Sequence, residues 1–418
     1  MLENERPKRI IPMLFDSTTL PIPPLRRDVQ VIPVEDNGRS LLVFYDPMKV
    51  SAPGFALDKS VEPLLSLIDG QKSLDQLIPY FAGGVSANEL LKFIQMLDEQ
   101  NLLDSEKFRK HSDLIETQFE EAEIRPPALA GTSYPVETGK TEDFLNDIMK
   151  RCNGNFISET PKKALYAPHI DLRVGAQQYA EAFSSLRELK PERVVILATA
   201  HYSGHYPEVY DGFPFIGSEK DYELPGRVLK TNRAMVKALA GERAKSGFTT
   251  KDRAHRIEHS IETHLLFASH IWKHDFQIVP ILVAGLDEVL YKANGDIGQK
   301  IEHFSNHIRQ LDTDGTFYLI SGDLSHVGKK FGDGQSARMM RAEVEKFDHA
   351  FIKTALSNGP GQVLEHMRGN YDAYRVCGFP PLFTFLKAFP HQKGTLLNYH
   401  WWDESERESA VSFGSILF

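Results

Sequence analysis

Cysteine is almost absent from this chain: 418 residues contain two, Cys152 and Cys377. Two thiols cannot make a disulfide framework, so the fold must rest on a packed core, and a reducing compartment would leave both free. Long apolar runs are also missing. Stretches such as Arg193-Val-Val-Ile-Leu-Ala-Thr-Ala and Ile278-Val-Pro-Ile-Leu-Val-Ala-Gly fall well short of the roughly 18 residues that a membrane span needs, so no spanning helix is expected. Positive charge is not in excess. Forty-eight Lys and Arg against 57 Asp and Glu give a net charge of -9, which argues against a broad nucleic-acid surface. The N-terminus mixes Glu3, Glu5, Arg6, Lys8 and Arg9 with prolines and lacks an apolar stretch followed by a small-residue cleavage site. Export is therefore not expected and the cytoplasm is. No repeat of fixed period is present.

What the chain does contain is enough apolar residues (41%) for a full core and enough length for two domains. Near the start, Val29-Gln-Val-Ile-Pro-Val and Ser40-Leu-Leu-Val-Phe-Tyr flank Asn37-Gly38, and both turn residues tolerate the positive φ of a type I′ hairpin. Helix-like segments follow at Val61 to Asp69, after Ser73 and after Ser86. Gln76 and Glu89 stand three residues beyond these serines, which is the spacing of a capping box. Residues 1–110 therefore read as one compact domain. The Glu, Lys and Asp-rich stretch 111–124 reads as a helical or extended linker, and Pro126-Pro127 marks the start of a second domain, 125–418.

The second domain alternates. Helices are expected at Glu142 to Lys150, Gly175 to Leu186, Arg233 to Ala240, Ile257 to Trp272 and Ile297 to Gln310. Strands are expected at Ala164 to Ala167, Val194 to Ala198, Gln277 to Val283 and Thr316 to Ser321. The alternation implies an α/β fold with a mixed, largely parallel sheet flanked by helices. Ligands collect at the carboxyl ends of such strands. There the sequence delivers His169, His201, Asp323 and His326, so neighbouring parallel strands would gather the four around one crevice. A single histidine at a strand end is more often a satisfied structural group, and convergence is what raises the functional reading. His259 and Glu262, three apart on a helical pattern, would share a face as a hydrogen-bonded acid and base or as a pair that supports ligating groups from behind. They do not form a zinc-protease motif, because His259 and His264 are five apart rather than four. Cys377 precedes a helix-like segment beside Arg375, a setting that favours a thiolate. Cys152 reads as inert.

Two resemblances add to this. The stretch Leu67-Ile-Asp-Gly-Gln-Lys-Ser-Leu-Asp-Gln-Leu and the later Leu97-Asp-Glu-Gln-Asn-Leu-Leu resemble the PqqD-like winged-helix domains, which implies recognition of a peptide along the hairpin edge. From residue 125 onward, Pro127-Ala-Leu-Ala-Gly-Thr-Ser-Tyr-Pro135, Ala167-Pro-His169, His201-Tyr-Ser-Gly204, Glu258-His-Ser-Ile-Glu-Thr-His-Leu265, Ser321-Gly-Asp-Leu-Ser-His326 and Val376-Cys-Gly378 resemble, in order, the Memo family, specifically its AmmeMemoRadiSam system protein B branch.

The second resemblance implies a fold similar to class III extradiol dioxygenases. It also implies a divalent metal, iron(II) favoured with copper or zinc as alternatives, on His169, His201 and Cys377. His326, His259 and Asp323 would then be catalytic, Glu262, Asp171 and Tyr202 would contact substrate, and a radical SAM protein is implied as a partner. Two departures stand out: the family's His-Ala-Gly-Tyr reads His169-Ile-Asp-Leu, and its Gly-Pro-x-His turn reads Ala198-Thr-Ala-His201. Asp171 either adds a carboxylate near the metal or caps the following helix, and the cap is the preferred reading. The expectation is a metal-dependent, oxygenase-like redox enzyme acting on a peptide or protein that the first domain presents. A metal-binding or peptide-binding adaptor without catalysis is the competing expectation.

Overall fold

A computed structural model of the chain describes residues 13–81, 84–152, 162–357 and 359–418. The charged N-terminal residues that argue against export lie outside them. The chain divides into two compact units, Met1–Glu121 and Ala122–Phe418.

In the first unit, strands Gln30–Asp36 and Arg39–Tyr45 pair antiparallel with Asp36 opposite Arg39, and Ala56–Asp58 adds a third strand. Asn37 (φ 49°) and Gly38 (φ 77°) occupy the left-handed region that the tight hairpin demands. Both capping boxes are present. The Ser73 and Ser86 side chains accept from the amides of Gln76 and Glu89, whose side chains reach back to the serine amides. The second box starts helix Ala87–Glu99, whose Leu90, Ile94 and Leu97 recur at helical spacing and are fully buried against Leu42, Leu74 and Leu77.

Two expectations change here. The segment 61–69 holds only a one-turn helix, Glu62–Leu65, which follows a 3-10 turn, Lys59–Val61, and is capped at Ser66. Residues expected to form a linker belong instead to helix Glu106–Glu121, which buries Glu116 and Phe119 and lies within the first unit, so the division falls at 121/122.

The second unit is a mixed α/β structure. Four parallel strands stand side by side in the order Ala164–Ala167, Thr316–Ser321, Arg193–Thr199, Gln277–Val283. Nearly every residue of these strands is buried, as expected for a sheet covered on both faces. Crossovers such as helix Leu172–Ser184, between the first strand and Arg193–Thr199, supply that cover. Antiparallel Ser409–Leu417 pairs with Ala164–Ala167 and with Thr395–Glu404, closing one side of the sheet with a C-terminal hairpin. No described helix is long and apolar enough to cross a membrane.

Candidate metal centre at the strand ends

Three neighbouring parallel strands end together, with Ser321 in register with both Ala167 and Ala198. His169, His201 and Asp323 each follow their strand's last residue by two positions, so parallel pairing alone brings them to one edge. The His169 ring lies 4.7 Å from that of His201 and 5.2 Å from that of His259, centroid to centroid. His201 and His259 stack at 4.6 Å.

The loops carrying Asp323 and Cys377 meet backbone to backbone. The Gly378 amide donates to the Asp323 carbonyl at 2.8 Å. A Cβ on Gly322 would overlap the Gly378 backbone, and one on Gly378 would sit 2.7 Å from the Asp323 carbonyl oxygen, so the contact requires two glycines. The result places Cys377 Sγ 3.4 Å from His169 Nε2, where it also accepts from the Asp323 amide at 3.3 Å. Thr199, the last residue of its strand, donates its hydroxyl to the Cys377 carbonyl at 2.7 Å.

Hydrogen bonding sets how each imidazole faces the pocket. The Ser321 hydroxyl gives its one proton to the Ser260 carbonyl at 2.6 Å, so it accepts from His169 Nδ1–H at 3.2 Å and leaves Nε2 as the lone-pair nitrogen. Glu258 Oε1 accepts from His201 Nδ1–H at 2.9 Å, and the same oxygen lies 3.3 Å from His259 Nδ1. His326 Nδ1 donates to the carbonyls of Leu324 and Arg375, each at 3.1 Å. An imidazole whose Nδ1–H is tied to an acceptor offers Nε2 to a metal or a proton.

The electrostatics follow from burial. Burial would raise the Glu258 carboxyl, but the adjacent His201 and His259 imidazoles and the His201 amide outweigh it and hold it down to about 2. His201 is pushed the other way: burial would lower it, and Glu258 raises it above the usual histidine range. His169 is driven well down by burial and then by its histidine neighbours, and His326 falls to about 4 for the same reasons. Burial raises the Cys377 thiol, with the Asp323 charge adding to it. Burial also lifts Asp323 to about 7, only partly offset by the His169 amide that donates to it at 3.0 Å.

A stability prediction comes from Asp323. Its folded pKa lies above its unfolded one, so between about pH 4 and pH 7 the folded state holds a proton that the unfolded state has lost. Stability from this group is therefore full below pH 4 and falls as pH rises to 7. In metal-free protein, Asp323→Asn removes that slope. Its stability relative to wild type should improve by about 3 kcal/mol between pH 5 and pH 8, at about 1.4 kcal/mol per unit up to pH 7. Urea unfolding of both proteins across that range, with a chelator present, checks it. A difference that does not change with pH would contradict the assignment.

Two groups of side chains have donor atoms all within 4.8 Å of one another among the described residues: His169 with His201 and His259, and His169 with Asp323 and Cys377. His169 is common to both. The expected set of His169, His201 and Cys377 is thus spread over both groups, the thiol hydrogen-bonding with His169 and Asp323 while His201 is held by Glu258.

Glu262 is corrected. It is fully buried, and its two oxygens accept from Arg125, Tyr134 and the amides of Ala128 and Leu129, so it neither pairs with His259 nor faces a substrate. Asp171 caps helix Leu172–Ser184, accepting from the Arg173 amide at 2.8 Å, and pairs with the Arg173 guanidinium, so its carboxylate is committed there. Tyr202 stands beside His201, ring centroids 6.4 Å apart. His264 is structural, with Nε2 3.2 and 3.0 Å from the Ala167 and Pro168 carbonyls. Sequence reasoning missed Glu258, although a carboxylate directly before His259 was a usable signal. It also missed Ser260 and Ser321, which no spacing distinguishes.

Fold and site together define a mixed α/β protein with a histidine, carboxylate and thiol pocket of metal-binding composition at the ends of its parallel strands. The model of the Memo-like protein family matches residues 125–417, and the chain belongs to that family. Among relatives, a MEMO1 family protein of Aquifex aeolicus is 25% identical over 90% of this chain and 95% of its own length. Another, of Thermus thermophilus, is 25% identical over 80% of this chain and 94% of its own. A third, of Methanococcoides burtonii, is 24% identical over 63% and 87%. The Aquifex alignment covers more of the chain than residues 125–417 supply, so that relative also matches part of the N-terminal unit.

Proposed function

We propose that the pocket is a mononuclear divalent-metal centre and that the chain is a metal-dependent redox enzyme, with iron(II) the favoured ion. The observation that carries this reading is the convergence of His169 and His201 with each Nδ1–H tied to an acceptor, which makes Nε2 of each ring the nitrogen that would ligate. The donors fit: imidazole nitrogen, carboxylate and thiolate together suit iron(II), copper or zinc. In the first reading Cys377 is the third ligand. Its sulfur lies 3.4 Å from His169 Nε2, the separation of two donors on one ion, and binding would displace its proton. A second reading takes His259 instead, favoured because its donor atom already lies within 4.8 Å of those of His169 and His201. A thiolate-to-metal charge-transfer band in the cobalt(II) protein separates the two.

Bound there, an open-sided ion of this kind would supply a site for oxygen or for a substrate oxyanion. The chain's own residues handle protons. In the metal-free pocket burial lifts Asp323 to about 7, so this carboxyl can hold a proton and give it up there, and His326 is neutral near that pH. Glu258 keeps His201 oriented. The first unit contributes the exposed edge strand Gln30–Asp36, which could accept a peptide by strand addition and present it as substrate. The expected result is iron(II)-dependent oxygen uptake that is lost in His201→Ala and Cys377→Ala. Uptake unchanged in both variants would contradict the ligand set, and uptake absent from metal-loaded wild type would favour the non-catalytic adaptor.

A further inference from the structure

The segment that delivers Cys377 carries unusual backbone. Between helices Pro360–Arg368 and Phe379–Ala388, Tyr371, Asp372 and Arg375 all have φ of 54°. Aspartate visits this left-handed region at modest cost, but tyrosine and arginine do so only where the surroundings compel them. Strain of this sort persists when other contacts over-determine it, and it gathers where geometry matters for function.

The contacts that compel it can be followed atom by atom. The Arg375 guanidinium grips Asp333 with both ends, Nη2 to Oδ1 at 2.8 Å and Nη1 to Oδ2 at 3.2 Å, and Nη1 also donates to the His326 carbonyl at 3.1 Å. Asp333 is fixed in turn by the Gly328 amide, which donates to Oδ2 at 2.8 Å. The main chain of the same turn then holds the pocket. The Tyr374 carbonyl accepts from the His326 amide at 2.7 Å, the Arg375 carbonyl accepts from His326 Nδ1–H, and the Asp372 carboxylate accepts from the Val376 amide at 2.7 Å, one residue before Cys377. Among the described residues Asp333 hydrogen-bonds to Arg375 and the Gly328 amide rather than to His169, His201 or Cys377, so what it does for the pocket passes through Arg375 and the strained turn.

We propose that Asp333 and Arg375 form a latch that holds Tyr371, Asp372 and Arg375 in their left-handed conformations and thereby fixes both the position of Cys377 and the Nδ1–H tautomer of His326. Both are positioning residues. The bidentate fork is essential to the latch: lysine at 375 keeps the charge but cannot hold both carboxylate oxygens in one plane. The inference deepens the metal-centre reading by adding what sets one of its ligands, yet it can be tested on metal-free protein.

The test uses the full chain in a Cys152→Ser background, so that Cys377 is the only thiol, with iodoacetamide as the probe. Asp333→Asn and Arg375→Lys should each speed alkylation of Cys377 by about tenfold or more, as the loss of a charge-assisted hydrogen bond shifts the local opening equilibrium. Nitrogen-15 spectra of His326 should change from a single Nδ1–H form to a mixture. Tryptophan-monitored unfolding should stay close to wild type. Alkylation rates and His326 spectra unchanged in both variants would overturn the latch, as would acceleration fully matched by lower global stability. Arg375→Lys, the milder change, guards against a folding failure in Asp333→Asn. Cobalt(II) binding is measured separately: wild-type protein that takes up no cobalt(II) contradicts the metal reading, while the thiol comparison still decides the latch.

Discussion

Arg125→Met is expected to destabilise the C-terminal unit by about 3–5 kcal/mol, the cost of leaving one member of a buried ion pair alone. Arg125 is 1% exposed. It pairs with Glu262 and donates to the Glu258 carbonyl at 2.5 Å and to the His255 carbonyl at 3.1 Å, with its guanidinium over the Tyr222 ring. Without it, Glu262 keeps the Ala128 and Leu129 amides and the Tyr134 hydroxyl but loses its counter-charge in a fully buried setting. Removing both charges together, as Arg125→Met with Glu262→Gln, should cost less than the sum of the two single changes, because no charge is then stranded. All three tryptophans, Trp272, Trp401 and Trp402, lie in the C-terminal unit, so fluorescence during urea unfolding follows that unit alone. Additive losses in the double variant would show that the clamp is not a coupled pair. Since Arg125 also holds the Glu258 carbonyl, the single variant should loosen the base of the metal centre.

Glu258→Gln should lower metal affinity by about 10–100-fold in a chain that still unfolds cooperatively, the usual result of removing a carboxylate that orients a ligating histidine. Glu258 accepts from His201 through both its ring and its amide, at 2.9 and 2.7 Å, and also from the amides of His259 and Ser260 at 3.0 and 3.2 Å. Glutamine keeps the shape and an acceptor oxygen but removes the charge that raises His201. Competition titration with a chromogenic chelator reads the affinity directly. Equal affinities in variant and wild type would mean that Glu258 is only a helix-start acceptor.

Much of the strand framework could be read from sequence because buried parallel strands are short, continuous and apolar. Ala164 to Ala167, Gln277 to Val283 and Thr316 to Ser321 appear at their expected bounds, and adjacency of three strand ends then gathers His169, His201 and Asp323 without further information. Capping serines were legible because side chain and amide lie three residues apart in sequence. What stayed hidden depends on contacts between distant segments. Glu262 shows a helical spacing to His259, yet its partners come from residues 125–134, and no periodicity records that a buried arginine will claim it. The stretch 111–124, expected as a helical or extended linker, is helix up to Glu121, and its place within the first unit was not legible because Glu106–Glu121 buries only two residues, too few to stand out from a solvated spacer. The left-handed turn before Cys377 contains no glycine between Tyr371 and Arg375, so its conformation leaves no compositional trace.

The central claim is that His169 and His201 together hold a metal ion. Elemental analysis of protein purified without oxygen tests it most directly, with His169→Ala and His201→Ala prepared in parallel. The prediction is stoichiometric metal in the wild type and its loss from both variants, while each still unfolds cooperatively. Full metal content in either folded variant would contradict the claim.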